Sequence, residues 1–285
     1  MRASVLAVSI GATFVMIGAT QAACPGTDEI DRFLADWTAK RPTQSLPVTN
    51  MADAVCARDK LVEKLRQSHG KVVGYKAGLT AKATQERFGA NAPVAGILLE
   101  KMIVNDGATV PVNFGGRVVW EADMLLVVKD SGINAAKTPE DALKHISAMR
   151  PFIELPDLAL DPKEKLDGVQ LAAINVAARL GVVGPEVALE PSADTVRRLA
   201  EMKIIATDGS GASVAENTGA ATLGNPLNVV VWLIEELKKG GHELKAGDLI
   251  SVGSFSPLVP LKAGQTVTVR YEGLAQPATV RVTFQ

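Results

Sequence analysis

The stretch from Val118 to Val128, VVWEADMLLVV, places two acidic residues inside an apolar run. A short apolar run of this kind is typical of a strand that is buried on both faces. Side chains two residues apart point to the same face of a strand, so Glu121 and Asp123 are expected to project together. Ionised carboxylates in such a setting are costly unless they are paired or bind a cation.

Two explanations of these acids are open. A divalent ion would relieve the repulsion between the carboxylates, and hard oxygen donors would favour Mg²⁺, Ca²⁺ or Mn²⁺ over Zn²⁺. Alternatively, the strand lies at a sheet edge where both acids are solvated, or each acid pairs with an arginine. The tripeptide E-x-D is too common to decide between them. The segment FIELP (152–156) supplies a third acid, Glu154, in a similar apolar setting, and this favours the metal site.

The composition is that of a globular protein without a disordered tract, because 47% of the 285 residues are hydrophobic and 21% are charged. This length suits one large domain, or one domain with a small helical annex. The formal net charge is −1 and the sequence has no long Lys/Arg run, so it lacks the positive field that attracts nucleic acid. A nucleic-acid partner is therefore not expected.

The first 22 residues have the features of a secretory signal peptide. Arg2 is followed by an uncharged apolar run up to Ala19, and small residues then precede a cleavage site that we expect after Ala22. An uncleaved membrane anchor is the alternative. No later segment is apolar for long enough to span a bilayer. We therefore expect a periplasmic or secreted protein with no membrane contact after cleavage.

The only two cysteines in the sequence are Cys24 and Cys56. Exported proteins more often pair two cysteines than leave them free, so we expect a disulfide that ties the new N-terminus to the second predicted helix. Lipidation of Cys24 is the alternative, but the residues before it lack the apolar side chain expected three positions upstream.

Helical and strand patterns occupy different parts of the chain. Apolar residues recur at helical spacing over 30–37 and 54–65, whereas from Lys71 onward short β-type runs are separated by turns. Further helices are predicted over 139–149, 193–200 and 226–238. Strands are predicted over 72–76, 96–100, 118–128, 150–154, 203–206, 249–252, 266–271 and 279–284. Strands outnumber helices without alternating with them, which predicts an α+β fold with a helical N-terminal region (23–70) and a β-rich domain (71–285).

Lys76 closes the first predicted strand and is flanked by glycines in GYKAGLT (74–80). A lysine in this position would serve as a proton donor or an anion clamp if it reaches over a cleft; otherwise it is exposed at the strand end. The three histidines lie in no motif with a serine, cysteine or acid: His69, His145 and His242. A Ser-His-Asp hydrolase or a histidine-ligated zinc site is therefore not expected.

Taken in order, the segments that carry these residues resemble the 2-keto-4-pentenoate hydratase family, within the fumarylacetoacetate hydrolase superfamily. The similar stretch extends from about Val48 to the C-terminus. The matching segments are GYKAGLT (74–80), QERFGANAPVAGIL (85–98), EAD (121–123), FIELPD (152–157), AAINVAARLGVVG (172–184), GNPLNVVVWL (224–233) and KAGDLISVGSFSPLVPLKAGQTV (245–267). The resemblance implies a twisted β-rich core with a helical N-terminal part.

The resemblance also implies the residues that carry the chemistry. By position, Glu121, Asp123 and Glu154 would bind Mg²⁺ or Mn²⁺, with an aspartate in place of the usual second glutamate. Lys76 falls on the catalytic lysine of the family. The residues implied in substrate binding are Thr80, Asn175, Asn225 and Ser254.

The implied activity is that of a hydratase-like lyase on a small 2-oxo or 2-hydroxydienoic carboxylic acid, as in aromatic catabolism. The metal would stabilise an enolate, an acid/base group would move a proton along the carbon chain, and water would add at the distal carbon. Related members decarboxylate instead. Relatives of this kind also assemble as homo-oligomers, so a homo-oligomer is implied.

The sequence departs from the family pattern at three positions. Val94 and Ile174 stand where hydratases commonly carry acids, and Asn225 stands where they commonly carry a histidine. A non-catalytic periplasmic binder of a small carboxylate is therefore an alternative to the enzyme. A metal-dependent C–C hydrolase is a second alternative, although no histidine is placed to activate its water.

Overall fold

The computed structural model describes residues 24–285, so the predicted signal peptide over 1–22 lies outside the described residues. Within residues 24–285 the structure has seven α-helices: α1 (Thr27–Thr38), α2 (Met51–His69), α3 (Lys82–Arg87), α4 (Pro139–Lys144), α5 (Gly168–Ala173), α6 (Ala193–Glu201) and α7 (Pro226–Lys239). The same range has fourteen β-strands: β1 (Val72–Gly78), β2 (Val94–Leu99), β3 (Ile103–Asn105), β4 (Ala108–Val110), β5 (Val119–Val128), β6 (Ile146–Leu155), β7 (Leu180–Val183), β8 (Val187–Ala188), β9 (Lys203–Asp208), β10 (Ser213–Thr218), β11 (Leu249–Ser251), β12 (Val259–Pro260), β13 (Thr266–Glu272) and β14 (Ala278–Phe284).

Strand β5, which contains the two acids, lies inside the larger of two β-sheets. It pairs with β11 on one side and with β6 on the other, in the strand order β2-β1-β11-β5-β6-β7-β3. In addition, β12 pairs with β5 and β8 pairs with β6. The smaller sheet has the order β10-β9-β13-β14-β4, and its strands β13 and β14 pack against β6. This arrangement of mixed sheets and few helices confirms the predicted β-rich α+β fold.

The two faces of β5 differ in chemistry, as the alternation of the sequence predicts. One face places Trp120 and Met124 in the main hydrophobic core, where both side chains are fully buried. The other face carries Glu121 and Asp123. Because β5 has a partner strand on each side, the explanation of these acids by a solvated sheet edge is wrong.

The helix predicted over 139–149 is shorter in the structure. Helix α4 ends at Lys144, and β6 begins at Ile146 and pairs with both β5 and β8. The prediction of helix over 146–149 is wrong because these residues are held by strand partners that are distant in sequence. Such tertiary pairing overrides a local helical spacing.

Helices α1 and α2 precede the first strand and share one hydrophobic core with the sheets. Ile30 of α1 and Leu61 of α2 are buried in the same cluster as Phe284 at the end of β14. A disulfide joins Cys24 to Cys56 on α2, with 5.6 Å between their Cα atoms. None of the helices in residues 24–285 has both the length and the apolar character that a membrane crossing requires.

Candidate metal centre and active site

A cavity of about 390 Å³ opens beside the acidic face of β5. Its closed end is formed by Lys76, Glu121 and Glu154, and the exposed fraction of Lys76 is 3% and that of Glu154 is 2%. Exposed residues, including Arg87 and Asn217, form its mouth. The wall between the two ends is mainly apolar and includes Leu79, Leu158, Leu171, Val176, Phe255 and Leu258. A ligand would thus reach the buried charges through an apolar passage.

Strand pairing brings two of the three predicted acids face to face. Glu121 on β5 lies directly opposite Glu154 on β6, and Asp123 lies opposite Phe152, one pair further along the same face. Because opposite residues share a face, all three carboxylates start from the same side of the sheet. Glu121 and Glu154 line the cavity, whereas Asp123 is fully buried outside its lining.

Three hydrogen bonds hold the carboxylate of Asp123. Its Oδ1 accepts from the backbone N–H of Met124 at 2.5 Å and of Gly253 at 3.1 Å. Its Oδ2 accepts from Ser251 Oγ. The backbone oxygen of Asp123 also accepts from the hydroxyl of Tyr271. These contacts fix the acid beside the two carboxylates that face the cavity.

Lys76 is buried, so the explanation of this residue as a solvated lysine at a strand end is wrong. Its Nζ donates to Glu154 Oε1 and, at 2.8 Å, to the carbonyl oxygen of Val176. Gly96 lies directly opposite Lys76 on β2 and leaves room for it, because a Cβ at Gly96 would lie 2.9 Å from Lys76 Cγ. The ammonium group is therefore held in one position at the closed end of the cavity.

The carbonyl that holds this lysine belongs to a left-handed turn of three non-glycine residues. Asn175, Val176 and Ala177 have φ angles of 58°, 52° and 56°. Left-handed backbone costs about 1–2 kcal/mol for each such residue, and it persists only where the surroundings impose it. Here the side-chain amide of Asn175 pairs with both backbone groups of Ile97 on β2, at 2.7 and 2.9 Å. The turn is thus anchored to the sheet next to the lysine.

Burial raises the pKa of both acids on β5. Desolvation and the neighbouring charge of Glu154 raise the pKa of Glu121 well above its ordinary value, and Lys76 opposes part of this increase. Desolvation and the charge of Glu154 also raise the pKa of Asp123 to about 7, although its hydrogen bonds act in the opposite direction. Three acids share the site with one ammonium group, so full ionisation of the acids would leave negative charge in excess.

This surplus of carboxylates fits a divalent cation. Among residues 24–285, no three His, Cys, Asp or Glu side chains are already grouped as a metal site, and Lys76 lies beside Glu154. The donor set nevertheless suits a hard cation, because all three acids offer oxygen ligands from one face of the sheet. Glu121 and Glu154 are the acids that would reach an ion in the cavity, with Asp123 adjacent to them.

Of the four residues implied in substrate binding, two line the cavity: Thr80 and Ser254. The other two lie outside the lining and use their amides on the protein backbone. Asn175 pairs with β2, and Asn225 caps α7 by accepting a hydrogen bond from Leu227 N. In this structure both asparagine side chains therefore bond to protein backbone.

The positions at which the family commonly carries acids lie in the apolar core. The exposed fraction of Val94 is 3% and that of Ile174 is 4%, and neither residue lines the cavity. In this chain neither position therefore contributes a side chain to the cavity wall.

Arg87 is the cavity residue that the sequence did not single out. It ends α3, is exposed, and its guanidinium carbon lies 5.7 Å from the ring centroid of Phe88, which also lines the cavity. Arg87 lies in a segment that matches the family (85–98), but a helix of six residues gives it no periodic pattern. Only the packing of α3 over the cavity reveals it.

Comparison with known proteins identifies relatives of the whole fold. No protein-family model matches the chain. A 2-keto-4-pentenoate hydratase from Burkholderia vietnamiensis is 31% identical over 221 residues, which is 77% of this chain and 81% of that protein. A 4-oxalocrotonate decarboxylase from Pseudomonas putida is 27% identical over 81% of this chain and 86% of that protein.

Solved structures agree with these relatives. The 4-oxalocrotonate decarboxylase from Pseudomonas putida G7, complexed with magnesium and adipate, superposes with a TM-score of 0.80 at 25% identity, over 90% of this chain and 96% of that chain. A fumarylacetoacetate hydrolase family protein from Yersinia pestis shares the fold, with a TM-score of 0.55 at 14% identity over 74% of this chain and 92% of that chain. The chain therefore belongs to the 2-keto-4-pentenoate hydratase family, whose relatives here are hydratase and decarboxylase enzymes.

Proposed function

We propose that this protein is a divalent-metal-dependent lyase that acts on a small 2-oxo or 2-hydroxydienoic carboxylic acid by hydration or decarboxylation. The observation that carries the proposal is the cluster of three carboxylates beside one lysine at the closed end of an apolar cavity. Relatives that are hydratases and decarboxylases support the reaction class.

Glu121 and Glu154 would hold the metal ion, with Asp123 completing the acidic set. Mg²⁺ is the ion that we propose, because a relative's structure contains magnesium and the donors are carboxylate oxygens. When bound, the ion would supply the positive charge that stabilises negative charge developing on a 2-oxo group. Mn²⁺ has similar ligand preferences and remains in the proposal as a second ion to test.

Lys76 is the group that we propose as the acid/base catalyst. Its ammonium lies at the closed end, carries protons that it can donate, and is held by Glu154 and by the Val176 carbonyl. The hydroxyls of Thr80 and Ser254 line the same cavity and can hydrogen-bond the oxygens of a substrate. The apolar walls limit the access of water to the reacting carbons, which strengthens charge interactions at that end.

Export to the periplasm is also part of the proposal. The N-terminal sequence has the pattern of a signal peptide, and the disulfide between Cys24 and Cys56 suits an oxidising compartment. Two free thiols in protein recovered from the periplasm, measured by mass spectrometry after alkylation, would contradict this part. Recovery of the protein from the cytoplasm alone, with its first 22 residues intact, would contradict the export itself.

The reaction is tested by incubating the protein without its predicted signal peptide, in Mg²⁺ or Mn²⁺, with a panel of 2-oxo and 2-hydroxydienoic acids. Ultraviolet absorbance follows the loss of the conjugated system, and mass spectrometry separates addition of water from loss of carbon dioxide. We expect turnover that is lost in Glu121→Ala and kept in Glu190→Ala, a matched change of an exposed glutamate outside the cavity. Absence of turnover on every member of the panel would contradict the lyase.

The metal site has its own test. Calorimetry should show that the double variant Asp123→Ala/Glu154→Ala binds Mg²⁺ and Mn²⁺ much more weakly than the wild type. Equal affinity for either ion in the two proteins would show that these acids do not hold it.

A further inference from the structure

We propose that Arg87 binds a second anionic group at the far end of the substrate, so that the protein prefers a 2-oxo acid with a distal carboxylate. This inference rests on the proposed function, since it takes the closed end of the cavity as the site of the reacting 2-oxo acid. It adds a binding subsite at the mouth, and with it the class of substrate.

Two cations line the cavity, and they differ in whether their charge is already balanced. Lys76 is buried and paired with Glu154. Within residues 24–285 Arg87 forms no ion pair with any acid, and its guanidinium group lies over the ring of Phe88. Of these two, Arg87 thus has the charge that remains available to an incoming anion.

The two cations also lie at different ends of the cavity. Lys76 is only 3% exposed and sits among the acids, whereas Arg87 is exposed and ends the short helix α3. A molecule that reaches both would be elongated, with one polar end at the acids and the other at the arginine. The volume of about 390 Å³ is sufficient for such a molecule.

Between these ends the wall offers mainly carbon atoms. Leu79, Leu171 and Phe255 are among the side chains that a ligand's middle section would contact. Such a wall suits an unsaturated or saturated carbon chain and would disfavour charge in the middle of the ligand. Charge at both ends and carbon between them is the pattern of a dicarboxylic acid.

The chemistry of arginine favours a carboxylate at the mouth over a neutral polar group. The planar guanidinium presents paired N–H donors that match the two oxygens of a carboxylate. Stacking against Phe88 limits the side-chain freedom that binding would otherwise remove. A charge-assisted hydrogen bond at a partly exposed position corresponds to roughly a 10-fold preference in binding, or somewhat more.

Binding of two non-reacting acids provides the direct test. Calorimetry with Mg²⁺ present would compare adipate with hexanoate, which has the same six-carbon chain but one carboxylate, on wild type, Arg87→Met and Lys82→Met. Lys82 is the matched control because it is an exposed cation on the same helix and does not line the cavity. We expect wild type and Lys82→Met to bind adipate about 10-fold or more tightly than hexanoate, and Arg87→Met to lose this preference with little change for hexanoate.

Several results would overturn the subsite. They are equal affinities of the wild type for the two acids, no binding of adipate to the wild type, or an unchanged preference in Arg87→Met. A loss of preference in Lys82→Met equal to that in Arg87→Met would also overturn it, because a general charge effect would then explain both.

Turnover separates this inference from the proposed function. For a matched pair of 2-hydroxydienoic acids with one or two carboxylates, Arg87→Met should lower kcat/KM about 10-fold for the diacid and leave it nearly unchanged for the monoacid. If the wild type turns over neither acid but still discriminates adipate from hexanoate through Arg87, the subsite stands and the lyase fails. If it turns over both and the variant does not change their ratio, the lyase stands and the subsite fails.

Discussion

Two buried acid–cation pairs have their acids at the end of β6 and just after it. They differ in whether the protein balances their charges. Glu154 pairs with Lys76 at the closed end of the cavity, and we call this the cavity pair. Asp157, three residues later, lies 3.6 Å from Arg179, and we call this the scaffold pair. All four side chains are at most 9% exposed.

The scaffold pair is fully supported by its surroundings. The carboxylate of Asp157 accepts hydrogen bonds from the backbone N–H groups of Gly116, Arg117 and Ala159. Arg179 donates to two backbone carbonyls and lies 3.5 Å above the ring of Trp37. Every charge in this pair has partners within the protein, so its role is to join the segments that it touches.

The cavity pair is not balanced in this way. Glu121 and Asp123 add two further carboxylates beside Lys76 and Glu154, and their pKa values are raised by burial and by the charge of Glu154. A buried charge that the protein satisfies supports the fold, whereas a buried charge left in surplus indicates an external partner. The difference between the two pairs therefore supports a structural role for Asp157 and the proposed ligand-binding role for Glu154.

The largest effect is expected from a substitution beside the cavity pair. Glu121→Gln should lower turnover by about 10²- to 10³-fold, because it removes one charge that holds the metal. In metal-free protein it should leave the melting temperature unchanged or higher, since it also removes a carboxylate whose desolvation is unfavourable. Rates with Mg²⁺ and thermal melts without it check the two parts. A drop in melting temperature with normal turnover would assign Glu121 to the scaffold.

A substitution in the scaffold pair tests the other half of the comparison. Asp157→Ala leaves Arg179 buried without its acid, and we expect the free energy of unfolding to fall by about 3–5 kcal/mol. Urea denaturation measures this loss, and activity at low temperature should remain normal for each folded molecule. A variant that stays stable but loses turnover would move Asp157 to the catalytic side of the comparison.

The dependence of stability on pH sharpens the comparison. The pKa of Asp123 is raised from 3.8 to about 7 in the folded protein, so the folded state holds this proton more tightly than the unfolded chain does. The resulting stabilisation is fully present below pH 3.8 and is lost as the pH rises through about 7. Metal-free protein should therefore become less stable between these values, and saturating Mg²⁺ should restore stability most at the alkaline end.

Melting temperatures of wild type and Asp123→Asn, each with and without Mg²⁺, provide the measurement. The variant lacks the titrating group, so its profile should be flatter over the same pH range. Parallel profiles for the two proteins would show that Asp123 does not carry this titration.

The smallest expected effect compares two buried asparagines that both bond to backbone. Asn175→Ala should lower kcat by about 10- to 100-fold, because the left-handed turn that holds Lys76 loses its anchor on Ile97. Asn225→Ala should cost about 1 kcal/mol of stability as a lost helix cap and leave kcat unchanged. Enzyme kinetics and urea denaturation of both variants separate these results. Equal losses of kcat would remove the distinction between the two asparagines.

The sequence predicted the acidic strand and the class of fold because both depend on local alternation and on the order of elements. The same-face projection of Glu121 and Asp123 follows from a period of two, and the structure has it. The direct pairing of Glu121 with Glu154 could not be predicted, because it depends on how two strands more than 30 residues apart align. This register places the three acids on one face of the sheet, next to one another.

Other features escaped prediction for related reasons. The hydrogen bonds of Asn175 to Ile97 and of Asn225 to a helix terminus could not be predicted, because they depend on packing. Arg87 belongs to no periodic pattern, and its place in the cavity lining depends on the position of α3. Sequence periodicity thus identifies the charged residues that are buried, but not the residues that surround them in the folded protein.

The tight fit among Lys76, Gly96 and the left-handed turn also limits how this protein can change by mutation. A Cβ at Gly96 would lie 2.9 Å from both Lys76 Cγ and the Asn175 carbonyl oxygen, so even alanine forces a neighbour to move. Substitution of Lys76 is also restricted, because a smaller residue at this position would leave Glu154 buried without its ammonium partner. The lysine, the glycine and the turn therefore constrain one another, and a single substitution at any of them is expected to disturb the other two.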